Sequence, residues 1–498
     1  MDVLRSSLGR RAVLRRRFQR RCELGAILLV AVVSAALSVS PAAGSPATSA
    51  GDWPMTSGGP EHTGEAEGAP APPLKQVWRR APGGDGRVSG AAVVAGLAVA
   101  TGQKTIFGFD PSSGQILWSV PRTAGPLTVP AFGGSEGAGG NGPVVFTEGD
   151  RAGNSAVGAL DPATRRRLWT FRLDDLVRGS STVEGDTVFV GSRNRSLYAI
   201  DLATGKLRWK VGTRGAVLGS PTVSAGLVFV ASEEARTGRA RLAALDAGTG
   251  RSRWTYSPAH VGFGLSSVTV QGDRAYAGFN DHVVRAFEAA TGRVIWSNPV
   301  RGAFSPVSTL AATTDSVYAL DDIGGVYRFD ATSGKHVWDY QLPSFVTSAS
   351  PLITSGAVYV GLDDGTVAAI DPANGHLRWR TRLSVGAIGA IAPAGDLLLV
   401  PASGPRGGMT AFAHDPSALL LDETSPTVLD LGAALANFGG AFIVMMLLLL
   451  GVFRFLGRTG SPTWTSGPLP EVGLEEPEGV AGQPGSAEPE PPSTGLRG

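Results

Sequence analysis

Cysteine is almost absent from this chain of 498 residues, since Cys22 is the only one. A single thiol cannot form an intramolecular disulfide or a multi-thiolate metal site, so both are excluded within one chain. The histidines do not replace it as ligands, because they are scattered without metal-ligand spacing. They are His62, His260, His282, His336, His376 and His414. We therefore predict no metal site.

Net charge is also scarce, at +2 for the whole chain. The first 22 residues carry +7 and residues 459–498 carry −5, which leaves residues 23–458 with no net charge. A nucleic-acid-binding domain of this size presents a basic surface to the phosphate backbone. The neutral central part of the chain therefore predicts no nucleic-acid partner.

Short matches to catalytic motifs occur without the setting that those motifs need. Residues 133–137 match the nucleophile-elbow motif and residues 137–142 match the dinucleotide-binding motif, but both lie in a glycine-rich loop between predicted strands. The acid pairs at residues 321–322 and 363–364 lie beside glycines. We interpret these pairs as hairpin turns and not as a calcium site. No catalytic residue is predicted.

The chain does contain a repeated phrase. Seven times an acid is followed three residues later by Thr, Ser or Asn, and eight residues later by Trp. The acids are Asp110, Asp161, Asp201, Asp246, Glu288, Asp330 and Asp371, and the tryptophans are Trp118, Trp169, Trp209, Trp254, Trp296, Trp338 and Trp379. A phrase at an interval of roughly 40 to 50 residues indicates one supersecondary unit repeated in space.

Each unit is predicted to be a four-stranded antiparallel blade. In the third copy, residues 180–183, 187–190, 196–200 and 207–211 read as strands, and Asp201, Thr204 and Gly205 form the turn before the last strand. Trp209 then buries its large ring against the neighbouring blade. We interpret the acids and tryptophans as structural blade anchors and not as chemical groups.

The two ends of the repeat predict how a ring of blades closes. Trp78 lies 40 residues before Trp118 but has no acid phrase before it, so it reads as a lone fourth strand. Residues 387–392, 397–400 and 409–413 read as three strands without a tryptophan. Combining them gives an all-β, eight-bladed β-propeller of four-stranded antiparallel blades.

The phrase A-x-D-x-x-T-G-x-x-x-W resembles the PQQ-like (pyrroloquinoline-quinone-type) β-propeller repeat. The best copies are residues 199–209 and 369–379, and the resemblance covers about residues 51–415, including the segment from Asp52 to Gly64. Three copies depart from it, with Arg165 in place of Gly, Glu288 in place of Asp and Arg328 in place of Ala.

The resemblance implies two classes of function. Quinoprotein dehydrogenases of this family hold their cofactor beside adjacent cysteines and calcium, and this chain lacks the cysteine pair. The noncatalytic branch, similar to the scaffold propeller of the outer-membrane barrel-assembly machinery, implies a protein-binding module. We therefore expect no enzyme activity, no cofactor and a protein partner. A quinone-dependent oxidoreductase and a sensor of a small cell-envelope ligand remain alternatives.

A sensor would bind its ligand at the mouth of the central channel. The first strand of each blade lines that channel in propellers. A set of small polar residues in the predicted first strands would face it, and these are the candidate channel-lining residues. They are Ser180, Ser220, Ser266, Ser305 and Ser350.

Both ends of the chain differ from its centre. Residues 1–50 combine eight arginines, an apolar run at 24–39 and a small-residue stretch, which predicts a signal peptide or an uncleaved N-terminal anchor. We predict that residues 51–415 form the propeller, 416–430 a juxtamembrane linker, 431–456 a transmembrane helix and 457–498 a disordered tail.

The C-terminal apolar run predicts the orientation in the membrane. Residues 431–453 are uncharged and would span about 35 Å as a helix, enough to cross a hydrocarbon core. Arg454 and Arg458 follow this run, whereas acids precede it. The positive-inside rule then predicts a cytoplasmic tail and an extracytoplasmic propeller at the cell membrane.

Overall fold

The protein is described by a computed structural model over residues 52–81, 87–133, 142–149, 154–234, 237–258, 267–279, 281–300, 310–346, 350–383, 386–404, 407–421 and 423. Cys22, Ser266, Ser305, the N-terminal segment 1–50, the predicted transmembrane helix 431–456 and the tail 457–498 lie outside these residues. Within the ranges given, no helix has the length and apolar character needed to cross a membrane.

The described residues form eight antiparallel sheets, each one blade. The chain begins with β1 (Leu74–Arg80) and then forms blade one from β2 (Ala92–Val94), β3 (Leu97–Thr101), β4 (Thr105–Phe109) and β5 (Ile116–Pro121). Blade two contains β6 (Ala131–Phe132), β7 (Val144–Gly149), β8 (Ser155–Leu160) and β9 (Arg167–Arg172). Blade three contains β10 (Thr182–Glu184), β11 (Thr187–Ser192), β12 (Ser196–Asp201) and β13 (Leu207–Gly212).

The second half of the ring continues this order. Blade four contains β14 (Ala216–Val217), β15 (Thr222–Ser224), β16 (Leu227–Glu234), β17 (Arg239–Asp246) and β18 (Ser252–Tyr256). Blade five contains β19 (Thr269–Gln271), β20 (Arg274–Phe279), β21 (Val283–Glu288) and β22 (Val294–Pro299). Blade six contains β23 (Ala311–Ala312), β24 (Ser316–Leu320), β25 (Gly325–Asp330) and β26 (His336–Gln341). Blade seven contains β27 (Leu352–Ile353), β28 (Val358–Gly361), β29 (Thr366–Ile370) and β30 (Leu377–Arg382).

Blade eight joins the two ends of the ring. Its strands are β31 (Ala392–Ala394), β32 (Leu397–Ala402) and β33 (Gly408–His414), and β1 completes it by pairing antiparallel with β33. Trp78 lies opposite Ala411 in this pair. The predicted eight-bladed, all-β propeller with one-plus-three closure is therefore confirmed.

Two details differ from the prediction. Blade four has a fifth strand, because the short β14 pairs with the end of β16 beyond the part that β15 covers. The first strands also begin later than predicted, with β10 starting at Thr182 and β31 at Ala392. Two residues before β10, the backbone N–H of Ser180 donates to the Ser220 hydroxyl of the next blade.

The hydrophobic core lies between blades. One cluster packs Tyr276 and Trp296 of blade five against Tyr327 and Phe329 of blade six, all of them buried. Inner strands are covered on both faces, which explains their continuous apolar runs. Because each aromatic ring buries a large apolar area, these rings stabilise the contact between neighbouring blades.

Candidate functional site

In six blades the repeated tryptophan is hydrogen-bonded to the turn of the next blade. The indole N–H of Trp169 donates to the carbonyl oxygen of Leu202, which directly follows Asp201 of the next blade, at 2.7 Å. The same bond is made by Trp78 to Pro111, Trp209 to Ala247, Trp254 to Ala289, Trp296 to Ala331 and Trp338 to Pro372, at 2.8 to 3.0 Å. Trp118 and Trp379 are buried as well. The structure thus places the tryptophans at joints between blades.

The glycine of the phrase is required for two reasons. Gly205 has a φ of +68°, a left-handed backbone conformation that residues other than glycine rarely adopt. A Cβ at this position would also lie 2.6 Å from the ring of Trp169. In blade two Arg165 takes the glycine position at a φ of +61°.

The acids of the phrase are held within their own turns. Asp201 accepts hydrogen bonds from the Thr204 hydroxyl at 2.7 Å and from Arg208 at 2.6 Å. The bond from Arg208, followed by those from Thr204, holds the pKa of this carboxyl far below its usual range. A hydroxyl three residues on also donates to the acid in five other copies, at Asp110, Asp161, Asp246, Glu288 and Asp330. Asp371 accepts the backbone N–H of Ala373. These contacts suit turn formation and provide no acid–base pair.

The alanine of the phrase lies opposite the tryptophan. Ala199 pairs with Trp209 across β12 and β13, and a register shift follows directly after this pair. In blade six Arg328 takes the alanine position, and its guanidinium donates to the carbonyl oxygen of Pro372 at 2.8 Å. Arg328 therefore adds a second bond to the oxygen that Trp338 already contacts.

Residues 52–66, named here the central segment, run along the inner strands of successive blades. Its carbonyl oxygens accept backbone N–H groups from the first strands or the residues beside them. The bonds are Val93 to Trp53, Phe132 to Pro54, Val223 to Pro60, Val270 to Glu61, Ala312 to Thr63 and Ile353 to Gly64, all at 2.7 to 2.9 Å. An inner strand otherwise presents unpaired donors at its edge. The central segment satisfies these donors in blades one, two, four, five, six and seven.

His62 extends the central segment to blade three. Its Nε2 lies 3.3 Å from the hydroxyl of Thr182 in blade three, and its Nδ1 lies 3.1 Å from the hydroxyl of Thr222 in blade four. Only 1% of its surface is exposed. Burial lowers the pKa of His62 from 6.5 to about 4, so the imidazole is neutral at physiological pH.

Some of the predicted channel-lining serines bond blades to each other. The Ser180 hydroxyl accepts the N–H of Val129, and the Ser220 hydroxyl accepts the N–H of Ser180. The Ser267 hydroxyl then accepts the N–H of Ser220 at 3.1 Å. Ser350 is half-buried. The structure therefore uses at least three hydroxyls in contacts between blades.

Sequence reasoning missed Ser267 and the threonines that accompany these serines. Thr182, Thr222 and Thr269 donate their hydroxyls to the carbonyl oxygens of Pro221, Val268 and Leu310 in the following blade. Each threonine lies two residues after a bonding serine. This Ser-x-Thr pattern was the available signal, and it places Ser267, instead of its neighbour Ser266, in the register of Ser180 and Ser220.

The residues described do not fit a quinone cofactor with calcium. In the ranges that the structure covers, no three His, Cys, Asp or Glu side chains form a group that could hold a metal ion. Asp321 is buried, but its carboxylate accepts the Tyr327 hydroxyl at 2.7 Å and the Gly325 N–H at 2.6 Å. These bonds close a hairpin turn. The chain also lacks the adjacent cysteines that accompany the cofactor in the dehydrogenases of the resembled family.

Apolar side chains are exposed along the outer strands of consecutive blades. Val77, Leu117, Leu168 and Leu207 belong to blades eight, one, two and three, and each is about half exposed. Each lies one or two residues before the tryptophan of its strand. We name these four residues the apolar rim. Val337 of blade six, one residue before Trp338, is exposed to a similar degree, so apolar exposure recurs at this position of the repeat. Exposed apolar side chains are candidates for contact with a partner protein.

The last described residues add to the outer edge of blade seven. The N–H of Leu421 donates to the carbonyl oxygen of Arg378 at 2.7 Å, and the N–H of Leu377 donates to that of Glu423 at 2.8 Å. Leu421 packs on the core shared by blades six and seven. These bonds of Leu421 and Glu423 show that an outer blade edge can accept additional backbone.

Comparison with known proteins identifies relatives of this architecture. The family model described as "Outer membrane protein assembly factor BamB" matches residues 153–320 and 281–425. Among solved structures, BamB from Moraxella catarrhalis is 21% identical with a TM-score of 0.54, covering 68% of this chain and 100% of that one. No curated protein sequence matches the chain.

Two dehydrogenases share the fold. A europium-containing methanol dehydrogenase is 15% identical with a TM-score of 0.54, covering 72% of this chain and 90% of that one. The quinohemoprotein alcohol dehydrogenase ADHIIG from Pseudomonas putida HK5 is 13% identical with a TM-score of 0.57, covering 76% and 82%. At such identities these structures, BamB included, are similar to this chain in fold alone.

Proposed function

This chain belongs to the PQQ-like β-propeller family described as outer membrane protein assembly factor BamB, and from that premise we propose that it is a noncatalytic scaffold that binds a partner protein. The propeller is held at the cell membrane, faces away from the cytoplasm and is tethered through its C-terminus. Binding takes place on the outer surface of the blades and not in the central channel.

The observation that carries this proposal is the course of the central segment. Its carbonyl oxygens occupy the inner donors of six blades, and His62 reaches the seventh. Together with the serine and threonine hydroxyls already bonded between blades, this engages many of the polar groups that the described residues place near the axis. The apolar rim, by contrast, has exposed side chains that a protein partner can cover.

The relatives support a scaffold more than an oxidoreductase. The matching family description names an assembly factor, whereas the dehydrogenases are similar in fold alone. Fold does not determine function, so the site must decide. The absent cysteine pair and the turn-bound acids argue against quinone chemistry in this chain.

The membrane tether is inferred from sequence next to the described structure. Glu423 lies against blade seven, and the uncharged run begins eight residues later, at Leu431. Arg454 and Arg458 follow that run. By the positive-inside rule these arginines stay in the cytoplasm, which leaves the propeller on the opposite side.

Co-purification tests the proposal. The full chain, solubilised from crosslinked membranes, should bring down a discrete protein, and added pyrroloquinoline quinone with calcium should give no dye-linked oxidation of alcohols or sugars. Turnover above that of a heat-inactivated control, with no protein co-purifying, would contradict the scaffold role and favour the oxidoreductase.

A further inference from the structure

Blade four differs from the other blades at one end of its sheet. Strands β16 and β17 each have eight residues, whereas the middle strands of blades three and five each have six. The additional residues extend the hairpin beyond the level at which β15 pairs, and β14 covers part of this extension. The blade therefore carries an additional surface that the repeat does not require.

A cleft of about 320 Å³ lies against this extension. It is lined by Arg214, Ser232, Glu234, Arg239, Arg241 and Ser257, among others. Ser232 pairs with Arg241, and Glu234 pairs with Arg239 across the two strands. Val228, Val230 and Ala243, which alternate along the same strands, pack towards blade three. The cleft therefore faces the segment that joins blades three and four.

That joining segment is fixed in position. Gly215 packs so closely that a Cβ would lie 2.4 Å from the backbone carbon of Glu233. The residue before it, Arg214, has a φ of +62°, which is uncommon for a residue other than glycine. The close packing of Gly215 and the conformation of Arg214 together hold the Arg214 backbone beside the extended hairpin.

The cleft arginines lack the acid partners that other arginines of the same region have. Arg208 pairs with Asp186 and Asp201, and Arg253 pairs with Asp246. Among the residues described, no carboxylate forms an ion pair with Arg214, Arg239 or Arg241. Glu234, the one acid among the described residues that line the cleft, accepts the hydroxyl of Thr237 at 2.6 Å.

The electrostatic environment favours an added anion. Three arginines and one glutamate give the cleft a formal charge of +2. Burial, followed by repulsion from Arg214, lowers the pKa of Arg241, so this cation lies in a surrounding that disfavours charge. A bound carboxylate relieves the repulsion and can accept two parallel N–H bonds from one guanidinium.

We propose that this cleft binds an acidic segment of the partner protein, through carboxylate side chains held by Arg214, Arg239 and Arg241. This inference rests on the proposed scaffold function and names the chemistry of one contact. Leu218 directly follows β14, the strand that covers the extended hairpin, and is exposed, so an apolar residue next to the acids is expected to find a contact. Arginine and apolar anchors together are typical of protein interfaces. The cleft volume is near the lower limit for ligand pockets, enough for one or two side chains.

Peptide binding to the purified full chain tests this assignment. The probe is a fluorescein-labelled peptide of glutamate and leucine, compared by fluorescence anisotropy with a matched peptide of glutamine and leucine. The glutamate peptide should bind and the glutamine peptide should not. Arg241→Gln and Arg214→Gln should each weaken binding by roughly 10-fold or more, as expected for losing a charge-assisted hydrogen bond. The matched control is Arg253→Gln, which removes an exposed arginine of the same blade and should leave affinity unchanged.

Four results would overturn the cleft assignment. An equal loss in Arg253→Gln would show that peptide binding follows overall charge. Full competition by inorganic phosphate at the concentration of the peptide would identify a small-anion site instead. Equal binding of the glutamine peptide would exclude carboxylate recognition. If a partner still co-purifies with the Arg214→Gln/Arg241→Gln protein at the wild-type level, the scaffold function stands and the cleft assignment is wrong.

Discussion

The buried histidine of the central segment predicts a specific loss of stability in acid. His62 has a folded-state pKa of about 4 because burial disfavours its charged form, against 6.5 for an exposed histidine. Between these two values the unfolded chain binds the additional proton. Stability is therefore complete above pH 6.5 and is lost as pH falls towards 4.

The size of this loss follows from the shift in pKa. Each pKa unit corresponds to about 1.4 kcal/mol, so the full shift is worth about 3 kcal/mol, most of which is lost by pH 4.5. Aspartates of the turns, such as Asp201, have lowered pKa values, so their protonation affects stability mainly below the pH range in which His62 titrates. Burial raises the pKa of Asp321 and of Glu65, so these two carboxyls offset part of the loss as pH falls. The contribution of His62 is therefore measured as the difference between the wild type and a variant that lacks the imidazole.

The test compares the wild type with His62→Asn by urea unfolding of the full chain in mild detergent, followed by tryptophan fluorescence. Asparagine tolerates the left-handed backbone at this position, where φ is +55°, places its amide where Nδ1 faces Thr222, and does not titrate. The wild type should lose about 2 to 3 kcal/mol more than the variant between pH 7.5 and 4.5. An equal pH dependence in the two proteins would refute the assignment of His62 as a buried neutral group.

Further predictions concern the blade joints and the tether. Gly205→Ala should destabilise the protein by several kcal/mol, because φ is positive at this position and an added Cβ would collide with the indole of Trp169. The control is Gly185→Ala, where φ is also positive but the space around the Cβ is open, and it should cost only about 1 kcal/mol. Equal shifts in the melting temperature of the two variants would contradict the packing argument. Trp296→Ala should cost roughly 3 to 5 kcal/mol in urea unfolding, and an unchanged midpoint would show that it does not anchor the blade. The orientation is tested with single cysteine probes that replace Ser355, exposed in a propeller turn, or Ser486, in the tail. In intact cells a membrane-impermeant reagent should label the probe at Ser355 and not the probe at Ser486. The reverse pattern would invert the proposed orientation.

The sequence contained enough to predict the fold because the repeat is local. Asp201, Gly205 and Trp209 lie within nine residues, so their spacing identifies the turn and the last strand of a blade. The unpaired Trp78 and the strands without a tryptophan at the other end then required a shared blade, which the pairing of β1 with β33 confirms.

The contacts that connect distant parts of the chain could not be predicted in this way. His62 contacts Thr182 and Thr222, which are more than one hundred residues away in sequence, and no periodic pattern predicts such a contact. The cleft of blade four depends on β14, a strand of two residues that propensity cannot identify. Both features depend on tertiary packing, which single-sequence patterns do not encode.

The central claim, that the outer surface of this propeller binds a protein, is tested most directly by site-specific photo-crosslinking in intact cells. A photoreactive amino acid is placed at Leu207, which is 46% exposed in the apolar rim, and at Val188, which is fully buried in the same blade as a control. The account predicts one discrete crosslinked protein from Leu207 and none from Val188. Failure to crosslink any protein at Leu207 and at the other three rim residues would contradict it.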